Sequence, residues 1–111
     1  ALMLPRHLER LEAEGNPASL SAAGMVRFYE KYDVDKYDIP GAPLHDPCVT
    51  AYLVSPQLFG GEPASIAVDY VNEDSIGNTY VDPAGDPNGV VMRTVDAEGF
   101  FDLVIQRIGS L

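Results

Sequence analysis

The apolar positions along the chain change period twice. Leu4, Leu8 and Leu11 recur at helical spacing, with Pro5 suited to a first turn and Gly15 to a stop, which predicts a helix over 4–14. Asn16-Pro17 reads as a connector. Ala22, Met25, Val26 and Tyr29 then fall at i, i+3, i+4 and i+7, with Phe28 and Tyr32 widening the stripe, so a second helix is expected over 18–33. The Pro and Gly content between 33 and 46 predicts a polar loop. A short third helix follows over 47–54, stopped by Ser55-Pro56, with 57–61 as another connector.

From Ser65 the period shortens. Ile66, Val68 and Tyr70 alternate with polar or small residues, predicting a strand over 65–71. Further strands are expected over 77–82 and 90–95, separated by a Pro/Gly turn over 83–89. The helical period then returns. Asp96 is placed to cap a last helix over 97–108, whose Phe101, Val104, Ile105 and Ile108 form the inward stripe. The chain alone therefore reads as α+β, with about four helices and a three-stranded β unit. Its core should be modest, because small domains bury a smaller share of their surface. Several stripes are wide and aromatic enough to suit a sheet that this chain does not contain.

At 111 residues the chain is one small domain or a piece of a larger one. The formal net charge of −10 repels phosphate backbones, so nucleic acid is not an expected partner. No apolar run approaches a membrane span, so no membrane partner is expected either. Cys48 is the one cysteine. It fits a reducing compartment, and the location expected is cytoplasmic. The first residues lack a signal-peptide layout and an initiating Met and enter helical pattern almost at once, which reads as an internal segment.

Candidate chemistry concentrates in Gly41-Ala42-Pro43-Leu44-His45-Asp46-Pro47-Cys48. Asp is a preferred N-cap and Pro a preferred first helical residue, so Asp46-Pro47 can simply begin the third helix. Alternatively the Asp46 carboxylate binds a hard cation and the His45 imidazole acts as a general acid. Both readings can hold together. Asp33, Asp35 and Asp38 hint at a calcium loop but fail the EF-hand pattern, since the third acid is displaced and the loop glycine is missing. Tyr29, Tyr32 and Tyr37 lead towards the His-Asp pair. They are either a helix-face anchor with surface phenols or an aromatic wall against a planar or sugar ligand. His7, among Arg6, Glu9 and Arg10, is expected in solvent, and Cys48 as a small buried apolar side chain. No nucleophile-elbow, P-loop, dinucleotide or zinc-cysteine motif is present.

The octet at 41–48, followed by Val49-Thr50-Ala51-Tyr52-Leu53-Val54-Ser55-Pro56-Gln57-Leu58-Phe59, resembles the C-terminal signature of the inosine-uridine nucleoside hydrolases. Ala1–Leu8, the stretch from Val68 through Asp82, and Asp96 with Phe100-Phe101-Asp102-Leu103 are similar to flanking elements of that family, so the likeness spans almost the whole chain.

The resemblance implies an open, mostly parallel α/β parent fold. It implies hydrolysis of the N-glycosidic bond of purine or pyrimidine ribonucleosides to ribose and base, a role in nucleoside salvage, and a bound Ca²⁺. It implies His45 as the acid protonating the leaving base and Asp46 as a calcium ligand. Tyr29 and Tyr32 are the implied nucleobase neighbours, although their three-residue spacing departs from the family's four, so only one of them is expected to serve. The family's early Asp-rich motif is absent, and one Asp with one His cannot furnish six to eight oxygens for calcium.

The chain is thus expected to be a C-terminal fragment of a nucleoside hydrolase. Alone it should be inactive, and it should require its N-terminal portion or partners in a homo-oligomer. The competing expectations are a stand-alone interaction or scaffold module binding through exposed apolar stripes, and an unrelated α+β domain whose Asp46 is only a cap.

Overall fold

The computed structural model describes the backbone of residues 1–111 and all side chains except those of residues 32–35 and 37. Among the described residues the elements are β1 (Leu2–Met3), α1 (Pro5–Ala13), α2 (Pro17–Tyr37), β2 (Ala42–Pro43), α3 (Asp46–Val54), a 3₁₀ turn (Pro56–Leu58), β3 (Phe59–Val68), β4 (Thr79–Asp82), β5 (Gly89–Val95) and α4 (Ala97–Gly109). The α+β reading holds. The chain divides into two compact units, one of residues 1–58 with 95–111 and one of residues 59–94.

In the helical unit α1, α2 and α4 pack on one another, α3 packs on α4, and β2 lies against α2. The core is Met3, Leu8, Leu11, Ala23, Ala42, Ala51, Phe100, Phe101 and Ile105. Gly15 ends the first helical segment at φ +70°, a conformation costly for other residues. Asn16 does more than connect. Its Oδ1 accepts the Ser19 amide at 2.8 Å, capping α2, while its Nδ2 donates to the Ile108 and Gly109 carbonyls at 3.0 Å, closing the end of α4. Asp96 caps α4 as expected, its Oδ1 accepting the Gly99 amide at 3.1 Å.

Several expectations change. The second helix runs to Tyr37, because the first strong breakers are Pro40 and Gly41 and residues 33–39 contain none. The face of α2 that packs inward carries Ser19 and Ala23, whereas Met25, Phe28 and Tyr29 of the expected stripe are exposed. The ladder β1–β2 is two residues long on each side, too short to leave a periodic trace (Leu2 opposite Pro43, Met3 opposite Ala42).

His7 is not in solvent. It is 1% exposed, its Nδ1 accepts the Leu4 amide at 3.1 Å, and its ring stacks on Phe101 with centroids 4.2 Å apart. Cys48 is half-buried, its thiol donating to the Leu44 carbonyl at 3.3 Å.

The second unit is a three-stranded sheet with β3 in the middle, flanked by β4 and β5. β3 and β4 are antiparallel, with Ser65 opposite Asp82 and Val68 opposite Thr79. β3 begins six residues earlier than expected, running through Gly60-Gly61, and stops before Tyr70, which is exposed. After it, Asp69 organises a turn: its Oδ1 accepts the Val71 and Asn72 amides and its Oδ2 the Ser75 hydroxyl. Asn88 bonds both backbone groups of Ile66, fixing the start of β5.

Candidate functional site

The site is built on a close backbone approach. Gly41 is buried, and a Cβ there would fall onto the Met3 carbonyl, so only glycine lets β2 lie on β1. The Leu44 amide donates to the Ala1 carbonyl at 2.8 Å and extends that ladder to the residue before His45. His45 occupies the cap position of α3 with φ −103° and ψ −57°, and its carbonyl accepts the Cys48 amide at 3.0 Å. Pro47 fits the first turn because a missing N–H costs nothing where amides have no intrahelical partner.

The expectation that Asp46 supplies the cap hydrogen bond is not met: Asp46 is the first helical residue and no side-chain oxygen caps α3. Its charge nonetheless lies where the helix dipole favours an anion. Among the described residues its carboxylate joins no hydrogen bond or ion pair.

The facing wall comes from α2. Met25, Val26 and Tyr29 line one cavity of about 450 Å³ together with Ala42, Pro43, Leu44, His45, Asp46 and Pro47. Three residues singled out in the sequence, Tyr29, His45 and Asp46, therefore share one cavity. All three are exposed, so a ligand can reach them. Tyr32, Tyr37, Asp33 and Asp35 have side chains outside the described residues. Met25 and Val26 were expected as core. Their signal was the helical spacing that places Met25 one turn before Tyr29.

An exposed imidazole beside a carboxylate can deliver a proton to a bound group while the carboxylate offers oxygens to a cation. The described residues do not make a calcium site by themselves. No group of three or more His, Cys, Asp or Glu among them converges on a metal position, and Asp46 supplies one carboxylate where calcium takes six to eight oxygens.

The family model described as inosine-uridine preferring nucleoside hydrolase matches residues 1–102. The pyrimidine-specific ribonucleoside hydrolase RihA of Salmonella gallinarum (strain 287/91 / NCTC 13346) is 38% identical over 106 residues, 91% of this chain and 34% of the relative. RihA of Escherichia coli O8 (strain IAI1) is 40% identical over 105 residues, 90% of this chain and 34% of the relative. Among solved structures, a purine-preferring ribonucleoside hydrolase from Gardnerella vaginalis superposes with TM-score 0.78 at 27% identity, covering 99% of this chain and 36% of that one. A plant nucleoside hydrolase, PpNRh1, shares the fold with TM-score 0.81 at 23% identity, covering 100% of this chain and 38% of that one. The chain thus spans about a third of the length of these relatives.

Proposed function

The chain belongs to the inosine-uridine preferring nucleoside hydrolase family, and on that premise we propose that it contributes one wall of a site that hydrolyses the N-glycosidic bond of a ribonucleoside. The observation that carries this reading is the single cavity lined by Tyr29, His45 and Asp46. Relatives named for pyrimidine and for purine ribonucleosides support the substrate class.

In the reaction the C1′–N bond breaks and its electron pair goes to the base. Water adds to C1′ and gives its proton to a group outside this chain. The ribose passes through oxocarbenium character, as in other glycoside hydrolysis. His45 protonates the departing base, a role that imidazole fills near neutral pH. Tyr29 flanks the base as an aromatic wall, and Tyr32 is the other candidate for that place. Asp46 would offer one carboxylate to a calcium ion, which when bound would supply electrostatic hold on the ribose hydroxyls and the water, and its other oxygens would have to come from beyond the described residues. Nucleoside salvage and a cytoplasmic location belong to the same reading.

Alone, the chain is inactive in this account. Ribonucleoside turnover by the isolated chain, with and without Ca²⁺, tests it: release of free base or ribose above background overturns the inactivity.

A further inference from the structure

Asn88 holds one end of the smaller unit's sheet with its side chain. Its Oδ1 accepts the Ile66 amide at 2.7 Å and its Nδ2 donates to the Ile66 carbonyl at 2.8 Å, while its own amide donates to the Ala64 carbonyl at 3.1 Å. A primary amide carries the donor and the acceptor of a peptide group, so the side chain stands where a further residue of β5 would pair with β3. Asn88 is nevertheless exposed, and water reaches this clasp.

The next residue is Gly89. A Cβ there would crowd Ile66 Cδ1 at 3.0 Å, which gives the glycine a packing role. The same missing side chain leaves the Gly89 amide nitrogen unhindered as a nucleophile towards the Asn88 side chain. The other asparagines are followed by poorer nucleophiles: Glu73 after Asn72, the β-branched Thr79 after Asn78, and after Asn16 Pro17, which has no amide proton.

We propose that Asn88-Gly89 is a site of spontaneous deamidation, gated by the clasp and irreversible once passed. The Gly89 nitrogen loses its proton and bonds to Asn88 Cγ, and the Cγ–Nδ2 bond breaks, releasing ammonia and leaving a five-membered succinimide. Water then adds to either ring carbonyl and opens the ring, giving aspartate or isoaspartate. Water is consumed, ammonia is released, and no oxidation state changes. In the folded chain both hydrogen bonds hold the Asn88 side chain towards Ile66, so ring closure requires the clasp to open first. The product cannot close it again. A carboxylate has acceptors only, so one oxygen meets the Ile66 carbonyl acceptor to acceptor, and isoaspartate also reroutes the backbone through a side-chain carbon. The added charge falls two residues from Asp86 on a chain already at −10.

The test holds the chain in mildly alkaline buffer, folded or unfolded in urea. Peptide mass mapping follows each asparagine, and enzymatic methylation counts isoaspartate. In urea Asn88 should convert ahead of Asn16, Asn72 and Asn78, and Gly89→Ala should slow it severalfold. Folding should slow conversion of Asn88 about tenfold or more, since it must wait on a local opening. In the folded chain Asn88→Asp should speed hydrogen exchange at the Ile66 amide and at the amide of residue 88 about tenfold. An Asn88 that converts in urea no faster than Asn72 and Asn78 overturns the site. Equal rates in the folded and unfolded chain overturn the gate, and unchanged hydrogen exchange in the Asn88→Asp chain overturns the loss of the clasp.

Discussion

The Nε2 of His7 lies 3.1 Å from Oε1 of Glu98, joining the first turn of α1 to the first turn of α4. Because Nδ1 accepts the Leu4 amide, the ring donates through Nε2, so one neutral tautomer satisfies both nitrogens. His7 thereby does for α1 what an acidic residue does in a capping box, and its stacking on Phe101 fills the core. His7→Ala leaves an unpaired amide and a cavity, and should cost about 2–4 kcal/mol. Urea unfolding of the chain checks this, and a loss within the error of an exposed alanine substitution would refute it.

Acid should loosen the same junction. The Arg6 guanidinium, and then the His7 ring, hold the Glu98 carboxyl below its usual range, and Arg27 does the same for Glu12. Both folded-state values are depressed, so the unfolded chain takes up these protons first as pH falls. Their stabilisation is present above the ordinary glutamate range, about pH 4.3, and is lost as pH drops through the folded values. Both pairs face solvent, so salt should shrink the effect. The urea midpoint measured between pH 3 and pH 7 should fall on the acid side, and fall less steeply in Glu98→Gln.

Gly41→Ala tests the platform under the site. The added methyl collides with the Met3 carbonyl, and backbone cannot move aside as a side-chain tip can. The ladder of Leu2 with Pro43 and Met3 with Ala42 should open, at a cost of about 1–3 kcal/mol. Hydrogen exchange at the Leu44 amide is the sensitive readout, since that bond to Ala1 extends the ladder towards His45. Unchanged protection there would show that the close approach does not hold the segment.

What the sequence could show follows from range. Asp96 as a cap and the helix behind it were legible because cap, period and stop lie within one window. His7 was misread because its charged neighbours are local, while the groups that bury it, Glu98 and Phe101, come from the far end of the chain. Asp46 was legible as a carboxylate at a helix start but not as a residue that leaves the cap bond unmade, which depends on the backbone angles of His45. That Tyr29 shares a cavity with His45 and Asp46 required the packing of β2 on α2, which no spacing reveals.

His45 and Asp46 are adjacent, but the roles proposed for them predict different kinetics in the complete hydrolase. If His45 protonates the leaving base, His45→Ala should lower kcat on a natural ribonucleoside by about 10²- to 10⁴-fold. The same variant should barely change hydrolysis of p-nitrophenyl riboside, whose phenolate departs without a proton. Asp46 acts on the ribose and cation side in this account, so Asp46→Asn should depress both substrates alike and raise the calcium concentration needed for activity. A His45→Ala variant that loses both substrates equally would make His45 a positioning residue. An Asp46→Asn variant with unchanged calcium dependence would remove Asp46 from the metal site.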